Sequence, residues 1–485
     1  MCINTFLALI GVLGETPRSP NSTLMLGSLQ AEADLIRCPT LRSQLVAQPS
    51  PFVVNNYHGG GFIADDDRVL LQTICSAPPR PGEGGSSTAR FTAKNMDEAD
   101  IGRPKFALRA GPRETIYYEP GDITIAVLTV GGICPGLNDI VRSIVIKALD
   151  YGVSESNILG IRFGFRGFAD RAHKPLNLTR RVVQDIQLDG GSVLGTSRDK
   201  ANVEEVVKFL DLLKIDHLYV IGGRGACSAA HAIQKHCAAS RVPTAVVAIP
   251  KSIDNDFMLF DKCFGFETAV EEAQKALMAA KVEAESGYRG IGIVKLMGRR
   301  SGFIAVQASL ASSIVDVVLI PEVHFELDGQ GGLLAYVERI MRRNGHAVIC
   351  VAEGAGQGLM NKAAAVTSEV DEEDHGELDD VGPWLKKKLK ERFEDADIKY
   401  IDPSYIIRSI PPTSQDRVYC KMLAHSAVHA AFAGYTGVTV GAIHNKYCCI
   451  PIPMVLSQTR TVDPNGELWA RLRAAIGQPN FVKTA

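Results

Sequence analysis

Several features that would point to common functional classes are missing from this chain. It has no run of about 18 apolar residues, which excludes an obvious membrane-spanning helix. It has no excess of positive charge: 52 Lys and Arg stand against 54 Asp and Glu, a net charge of -2. That argues against nucleic acid or an anionic lipid surface as partner. None of its 11 cysteines forms a C-x-x-C pair. A structural zinc ribbon and a disulfide framework are thereby disfavoured, and a reducing compartment is expected. The G-x-x-x-x-G-K-[ST] phosphate loop is absent. Residues 1–14 hold an apolar stretch without a basic flank, and basic residues are sparse before Arg37. Neither a signal peptide nor a transit peptide is indicated, so a cytoplasmic protein is expected, with the plastid as alternative.

What is present is an α/β pattern. Residues 1–117 read as an irregular, partly disordered extension rich in segments such as "APPRPGEGGSS". From Asp122 onward, β-branched runs alternate with helical periodicity. "ITIAVLTV", "HLYVIGG", "TAVVAIP", "GIGIVKLMG", "DVVLIPE" and "HAVICVAEG" read as strands, and segments such as "FETAVEEAQKALMAAKVEAE" as helices. The pattern predicts mainly parallel sheets flanked by helices, too many strands for one sheet, and therefore two Rossmann-like lobes. We expect residues 118–265 with 407–457 in one lobe and 266–406 with 458–485 in the other. "EVDEEDHGELDD" (369–380) reads as an acidic loop.

Open α/β sheets bind ligands beyond the carboxyl ends of their strands. Four turns lie at such places. "TVGGICPGLND" places Gly131 and Gly132 ahead of a helix N-terminus, where free N–H groups suit an anion. "YVIGGRGACSAA" repeats the arrangement with Gly222, Gly223 and Gly225 around Arg224. "IPKSIDNDF" sets Asp254 and Asp256 two apart, so that in an extended turn both carboxylates face one side, with Lys251 three residues before. Paired carboxylates of this kind serve metal binding or proton abstraction. "KLMGRRSGF" ends a strand in Arg299 and Arg300, a pattern suited to clamping phosphate. Each turn alone has an ordinary explanation as a tight turn, an Asx turn or a surface ion pair. Their order carries the weight.

Taken together, "GGICPG", "GGRGA", "PKSIDND", "MGR", "VAEG" and "YIIR" resemble, in that order, the motifs of the phosphofructokinase family over about residues 120–475. "YIDPSYIIRSIPP" and "GGICPGLND" are most similar to the ATP-dependent branch of plants, algae and trypanosomatids. The resemblance implies an enzyme that moves the γ-phosphoryl of ATP to the C1 hydroxyl of fructose 6-phosphate with Mg²⁺, and a homo-oligomer, commonly a tetramer. It implies Asp254 as the acceptor of the hydroxyl proton, Asp256 as holding the magnesium-phosphate assembly and Arg299 as neutralising the moving group. It assigns Ser252, Ile253, Asp254, Met297, Gly298, Arg299, Glu353, Tyr405 and Arg408 to the sugar phosphate. It assigns Gly131, Arg198, Asp199, Gly223, Arg224, Gly225 and Ala226 to ATP.

Gly225 stands where pyrophosphate users carry an Asp that blocks the nucleotide, so ATP is the expected donor. Arg224 departs from the pattern, since most of the family has a magnesium-associated Asp there and the plant-like branch tolerates Asn. The swap changes local charge by two units, each worth on the order of 4 kcal/mol at ~4 Å and an effective dielectric of ~20. That disfavours Mg²⁺ at this spot unless the guanidinium itself meets the phosphates. Ala226 and Asp199 are further departures. A non-catalytic regulatory subunit of the same family and a pyrophosphate-dependent kinase are the alternatives.

Overall fold

A computed structural model describes residues 36–54, 61–71, 106–170, 172–360 and 378–482. The segment 1–14, most of the expected extension and residues 369–377 of the acidic loop lie outside the described residues. The chain divides into two compact units. One is Met1–Ile36 with Gln72–Phe106, of which Ile36 and Phe106 are described; the Ile36 amide donates to the Phe106 carbonyl at 2.9 Å. The other, Arg37–Leu71 with Ala107–Ala485, carries everything that follows except Phe106.

The alternation of apolar runs and helices builds two sheets. Among the described residues the larger has nine strands: β1 (Arg68–Leu70), β2 (Phe106–Arg109), β3 (Thr124–Thr129), β4 (Ile158–Ile161), β5 (Leu176–Asn177), β6 (Ile215–Gly222), β7 (Ala245–Pro250), β12 (Val438–Ile443) and β13 (Lys446–Pro451). Their order across the sheet is β1-β2-β13-β12-β7-β6-β3-β4-β5. The central strands β12, β7, β6, β3 and β4 are parallel, which is why they read as unbroken apolar runs: both faces are covered. β13 returns antiparallel to β12, with Val440 opposite Cys449. The smaller sheet, ordered β9-β10-β8-β11, joins β8 (Ile291–Leu296), β9 (Val317–Leu319), β10 (Ala347–Ala352) and β11 (Ile398–Ile401), all parallel.

On one face of the large sheet, Ile125, Val127, Tyr219, Ile221, Val247 and Val440 pack against α1 (Leu137–Tyr151) and α8 (Ser414–Phe432). The helix α1 ends where Gly152 takes φ +106°, a left-handed cap open to glycine at little cost. The small sheet is covered on both faces. Val294 and Leu296 of β8 meet α3 (Phe266–Ser286) and α4 (Phe303–Ser312). Ile291 and Ile293, on the opposite face by strand alternation, meet α5 (Leu333–Asn344) and α6 (Val381–Arg392). Lys295 belongs to that second face and is the only charged residue on β8.

The irregular texture before residue 117 hides short elements of this unit: Arg68–Leu70 and β2 extend the large sheet, and Gln48–Pro49 pairs with Thr115–Ile116. Among the described residues no helix is long and apolar enough to cross a membrane.

Candidate active site

Each of the four sequence-predicted turns follows the carboxyl end of a parallel strand, as the chain order requires. The turn after β7 sits at the junction of the two sheets. Ile253 packs against the cores of both. The extended turn expected between Asp254 and Asp256 is not formed. Asn255 takes φ +59°, a left-handed conformation that asparagine tolerates, and its Oδ1 accepts the Cys263 amide at 2.9 Å. The two carboxylates nonetheless come close enough for the Asp256 charge to be felt at Asp254. Asp254 Oδ1 and Asp256 Oδ1 are both closed off from solvent without a hydrogen-bond partner.

Asp254 is where the two halves meet. The backbone N–H of Arg299 donates to its carboxylate, and Ser301 Oγ donates to its backbone carbonyl at 2.9 Å. Burial raises its pKa to about 7, with the Asp256 and Glu353 carboxylates adding to the rise and Lys251 opposing it.

The turn after β8 is locked to the turn after β10. The Glu353 amide donates to the Leu296 carbonyl at 2.9 Å and the Gly354 amide to Gly298 at 3.1 Å. A side chain at Gly354 would lie 2.0 Å from the Arg299 carbonyl, so glycine alone permits this approach. Gly298, at φ +133°, is likewise a position for glycine. Glu353 is set facing cations. Burial raises its pKa, and the charges of Arg299, Lys295 and Arg408 act against that rise. Met297 is buried in the small-sheet core, where it packs.

Arg408 lies on α7 (Ser404–Ser409), and its guanidinium passes 3.7 Å from where a Cβ on Gly132 would stand. Its Nε donates to the Ser404 carbonyl at 3.2 Å and its guanidinium carbon sits 5.1 Å from the Tyr405 ring. Tyr405 itself is 78% exposed and stands outside the buried cluster.

On the other side lie the glycine turns. Gly131 takes φ +87° and its amide donates to the Ser197 carbonyl at 2.8 Å, which sets the loop bearing the exposed Arg198 and Asp199 beside it. The Lys251 ammonium lies 3.7 Å from where a Gly131 Cβ would be. Burial lowers its pKa, opposed by Asp256 and Asp254 among its neighbours. Gly223 caps α2 (Arg224–Ser240), and the Lys251 amide donates to the Gly222 carbonyl at 2.9 Å. Ala226 is buried and faces Gly222, where a Cβ would come within 2.4 Å of it. A Cβ at Gly225 would meet nothing within 4 Å.

The Arg224 side chain turns toward the chain after α9 (Ile452–Leu456). Nη2 donates to the Leu456 carbonyl at 2.7 Å and Nη1 to the Gln458 carbonyl at 2.9 Å. The same segment is held from its other end, where the Arg460 amide donates to the Asp256 carbonyl at 2.8 Å and Thr459 bridges Phe257. Arg224 thus latches the helix that follows the glycine turn to a segment lying against Asp256. Replacing Arg224 with Asp removes two charge-assisted hydrogen bonds and leaves the Leu456 and Gln458 carbonyls without that donor. We expect a loss of roughly 2 kcal/mol of stability and lower activity, with Arg224→Lys in between. Thermal unfolding and kcat measured together check this; a rise in activity with Asp would contradict it.

Sequence reasoning overlooked Gly132 as the neighbour of Arg408, Ser301 as a support for Asp254 and Asn255 as the kink that makes the turn. Ser301 lies two residues beyond Arg299 and Asn255 lies between the paired acids, so both were within sight. The Gly132–Arg408 contact had no local signal. Two cavities, of about 300 and 270 Å³, lie elsewhere. The first is lined by Asp316 and His346, just before β9 and β10, and so opens at the amino ends of those strands. Among the described residues no group of three or more His, Cys, Asp or Glu side chains could hold a metal.

Residues 124–431, more than half the chain, match the family model described as phosphofructokinase. Among its relatives is the ATP-dependent 6-phosphofructokinase 5, chloroplastic, of Arabidopsis thaliana, 45% identical over 87% of this chain and 76% of that one. Another is the ATP-dependent 6-phosphofructokinase of Borreliella burgdorferi, 41% identical over 80% of this chain and 89% of its own. Among solved structures, a pyrophosphate-dependent phosphofructokinase from Marinobacter aquaeolei superposes with a TM-score of 0.60 at 18% identity, covering 73% of this chain and 91% of that one. At that identity the likeness speaks for the fold alone.

Proposed function

This chain belongs to the phosphofructokinase family, and on that premise we propose that it transfers the γ-phosphoryl of ATP to the C1 hydroxyl of fructose 6-phosphate. The observation that carries the reading is the hydrogen bond that Ser301 Oγ donates to the Asp254 carbonyl at 2.9 Å. It joins the turn that ends one sheet to the turn that ends the other, at a residue whose buried carboxylate is able to take a proton. In the reaction the C1 oxygen attacks the γ-phosphorus and the bond to the β–γ bridging oxygen breaks. ADP leaves with that electron pair, and Asp254 takes the hydroxyl proton. Such a transfer asks the protein for positioning and charge neutralisation above all.

The Arg299 guanidinium neutralises the moving group. Glu353, an acceptor when ionised, takes sugar hydroxyls, and Arg408 can meet the 6-phosphate with two parallel hydrogen bonds. Ser252, Ile253, Met297, Gly298 and Tyr405 complete this side, Ile253 and Met297 through packing. Gly131, Arg198, Asp199 and the turn from Gly223 to Ala226 take the nucleotide, with the first turn of α2 aimed at its phosphates. Lys251, over Gly131, adds a cation there. We divide the chain into a nucleotide lobe (118–265 with 407–457) and a sugar-phosphate lobe (266–406 with 458–485), with Ser252, Ile253, Asp254 and Arg408 offered to the sugar phosphate from the first.

The residues present fit Mg²⁺ as a companion of the nucleotide. Mg²⁺ is commonly held by one or two carboxylates together with substrate phosphates, and the unpartnered, buried oxygen of Asp256 supplies such a carboxylate. When bound, it would neutralise phosphate charge; Asp256 would hold it. The latched Arg224 leaves its own position unsuited to the ion. The exposed Tyr405 and Ile406 on α7 give a second copy an apolar surface to cover, in keeping with a homotetramer. The cytoplasm is the expected compartment and the plastid the alternative.

Donor choice is tested at Gly225. Because a side chain there meets open space, Gly225→Asp is expected to fold normally and to lower kcat/KM for ATP by at least about 100-fold, since a carboxylate would face the nucleotide's own charge. A coupled assay with ATP and with pyrophosphate reads the result. Unchanged ATP use in the variant, or pyrophosphate preferred by the parent, would overturn the assignment of ATP.

A further inference from the structure

Lys295 is out of place by composition. It lies on the face of β8 that Ile291 and Ile293 give to the core, and its side chain is 13% exposed. An ammonium so placed is expensive unless paired, and an apolar residue would serve packing better. It is paired twice, with Asp402 Oδ2 at 2.8 Å and Asp380 Oδ1 at 3.1 Å. Each partner lies just ahead of a helix. Asp402 Oδ1 accepts the Ser404 amide at 3.1 Å and the Ser404 hydroxyl at 2.6 Å, at the head of α7, which carries Arg408. Asp380 Oδ1 accepts the Gly382 amide at 3.2 Å and caps α6.

A second tie runs alongside. Gln357 Nε2 donates to the Glu353 and Asp379 carbonyls, each at 3.0 Å, and its Oε1 accepts the Asp379 amide at 3.1 Å. The chain just before Asp380 is thereby fixed to the Glu353 turn, while Lys295 fixes Asp380 to Asp402. The Lys295 charge is also felt at Glu353. One ammonium therefore sets the distance between the turn that presents Glu353 and the short helix that presents Arg408.

We propose that Lys295 is a positioning residue for sugar-phosphate binding: through Asp402 and Asp380 it holds Arg408 at a fixed separation from Glu353. The inference rests on the reading of Glu353 and Arg408 as ligands of the sugar phosphate. Lys295 need not touch the substrate; it fixes the frame on which two substrate groups sit. Arginine in its place keeps the charge and reach; methionine keeps only the apolar stem.

The test is steady-state kinetics on the full chain, varying fructose 6-phosphate and ATP separately. Lys295→Met is expected to raise KM for fructose 6-phosphate at least tenfold, with KM for ATP within about twofold of the parent. Lys295→Arg is expected to restore most of the difference. Asp402→Asn, which leaves the core face intact, is expected to raise the same KM by a smaller factor, and it decides the matter should Lys295→Met fail to fold. An unchanged sugar-phosphate KM in Asp402→Asn or in Lys295→Met, or equal rises for both substrates, overturns the proposal. Arg408→Ala in the same assay separates the two levels. If it leaves the sugar-phosphate KM unchanged, the underlying reading falls, and the proposal with it. If it raises that KM while Lys295→Met does not, the positioning role alone falls.

Discussion

Replacing Asp254 with asparagine is expected to lower kcat by about 10²- to 10⁴-fold, the range that a general base contributes, while the protein becomes more stable near pH 8. Both effects come from one environment. Burial, with the Asp256 and Glu353 charges behind it, raises the Asp254 pKa to about 7. Between the ordinary carboxylate value near 4 and about 7, the folded protein holds a proton that the unfolded chain releases. Stability therefore falls as pH rises through that window. Asparagine removes the penalty, so its gain over the parent is small near pH 4 and grows toward pH 8, to an upper bound on the order of 4 kcal/mol. Thermal unfolding at the two pH values checks the sign. For catalysis the base must be ionised, so kcat/KM of the parent is expected to drop as pH falls through about 7. Asp256→Asn removes a charge that pushes Asp254 upward, and the acid limb should move to lower pH. An asparagine variant with parental kcat, or an acid limb unmoved in Asp256→Asn, would remove Asp254 from this role.

Arg299→Gln is expected to lower kcat by roughly 10³-fold, as loss of a guanidinium aimed at a transferring phosphoryl group does. The substitution separates the residue's two parts. Its backbone N–H, which reaches Asp254, is retained, so the acid limb of the pH profile should stay near that of the parent. The side chain, whose charge is felt at Glu353, is lost. Glu353 then has one less opposing cation, and its pKa should rise further. A fall in kcat with an unshifted acid limb supports charge neutralisation by the side chain. A shifted limb with unchanged kcat would recast Arg299 as a support for Asp254.

The sequence made the parallel strands and their turns legible because both are written locally. Buried strands such as Ile125–Leu128 are unbroken apolar runs, and the glycines at 131 and 298 mark where the backbone turns left-handed. The antiparallel return of Lys446–Pro451 was harder to see, since "KYCCIP" alternates poorly and gains its place from pairing with β12 and β2. Arg224 was legible as an anomaly and not as a latch. Its partners are the carbonyls of Leu456 and Gln458, more than 200 positions away, and backbone carbonyls leave no mark in a sequence. The same holds for Lys295, whose place inside the strand "IGIVKL" reads as a flaw in an apolar run until Asp380 and Asp402 arrive from two later segments. Asn255 shows the reverse: a residue type with a known tolerance for left-handed backbone sat between two acids, and the turn bends there.

The account stands or falls on where one phosphoryl group goes. ATP labelled in its γ-phosphoryl, incubated with fructose 6-phosphate, Mg²⁺ and the purified chain, should yield the label in an ester at C1 of the sugar, with ADP formed in equal amount. Label appearing only as inorganic phosphate, or no transfer from ATP while pyrophosphate sustains turnover, would contradict it.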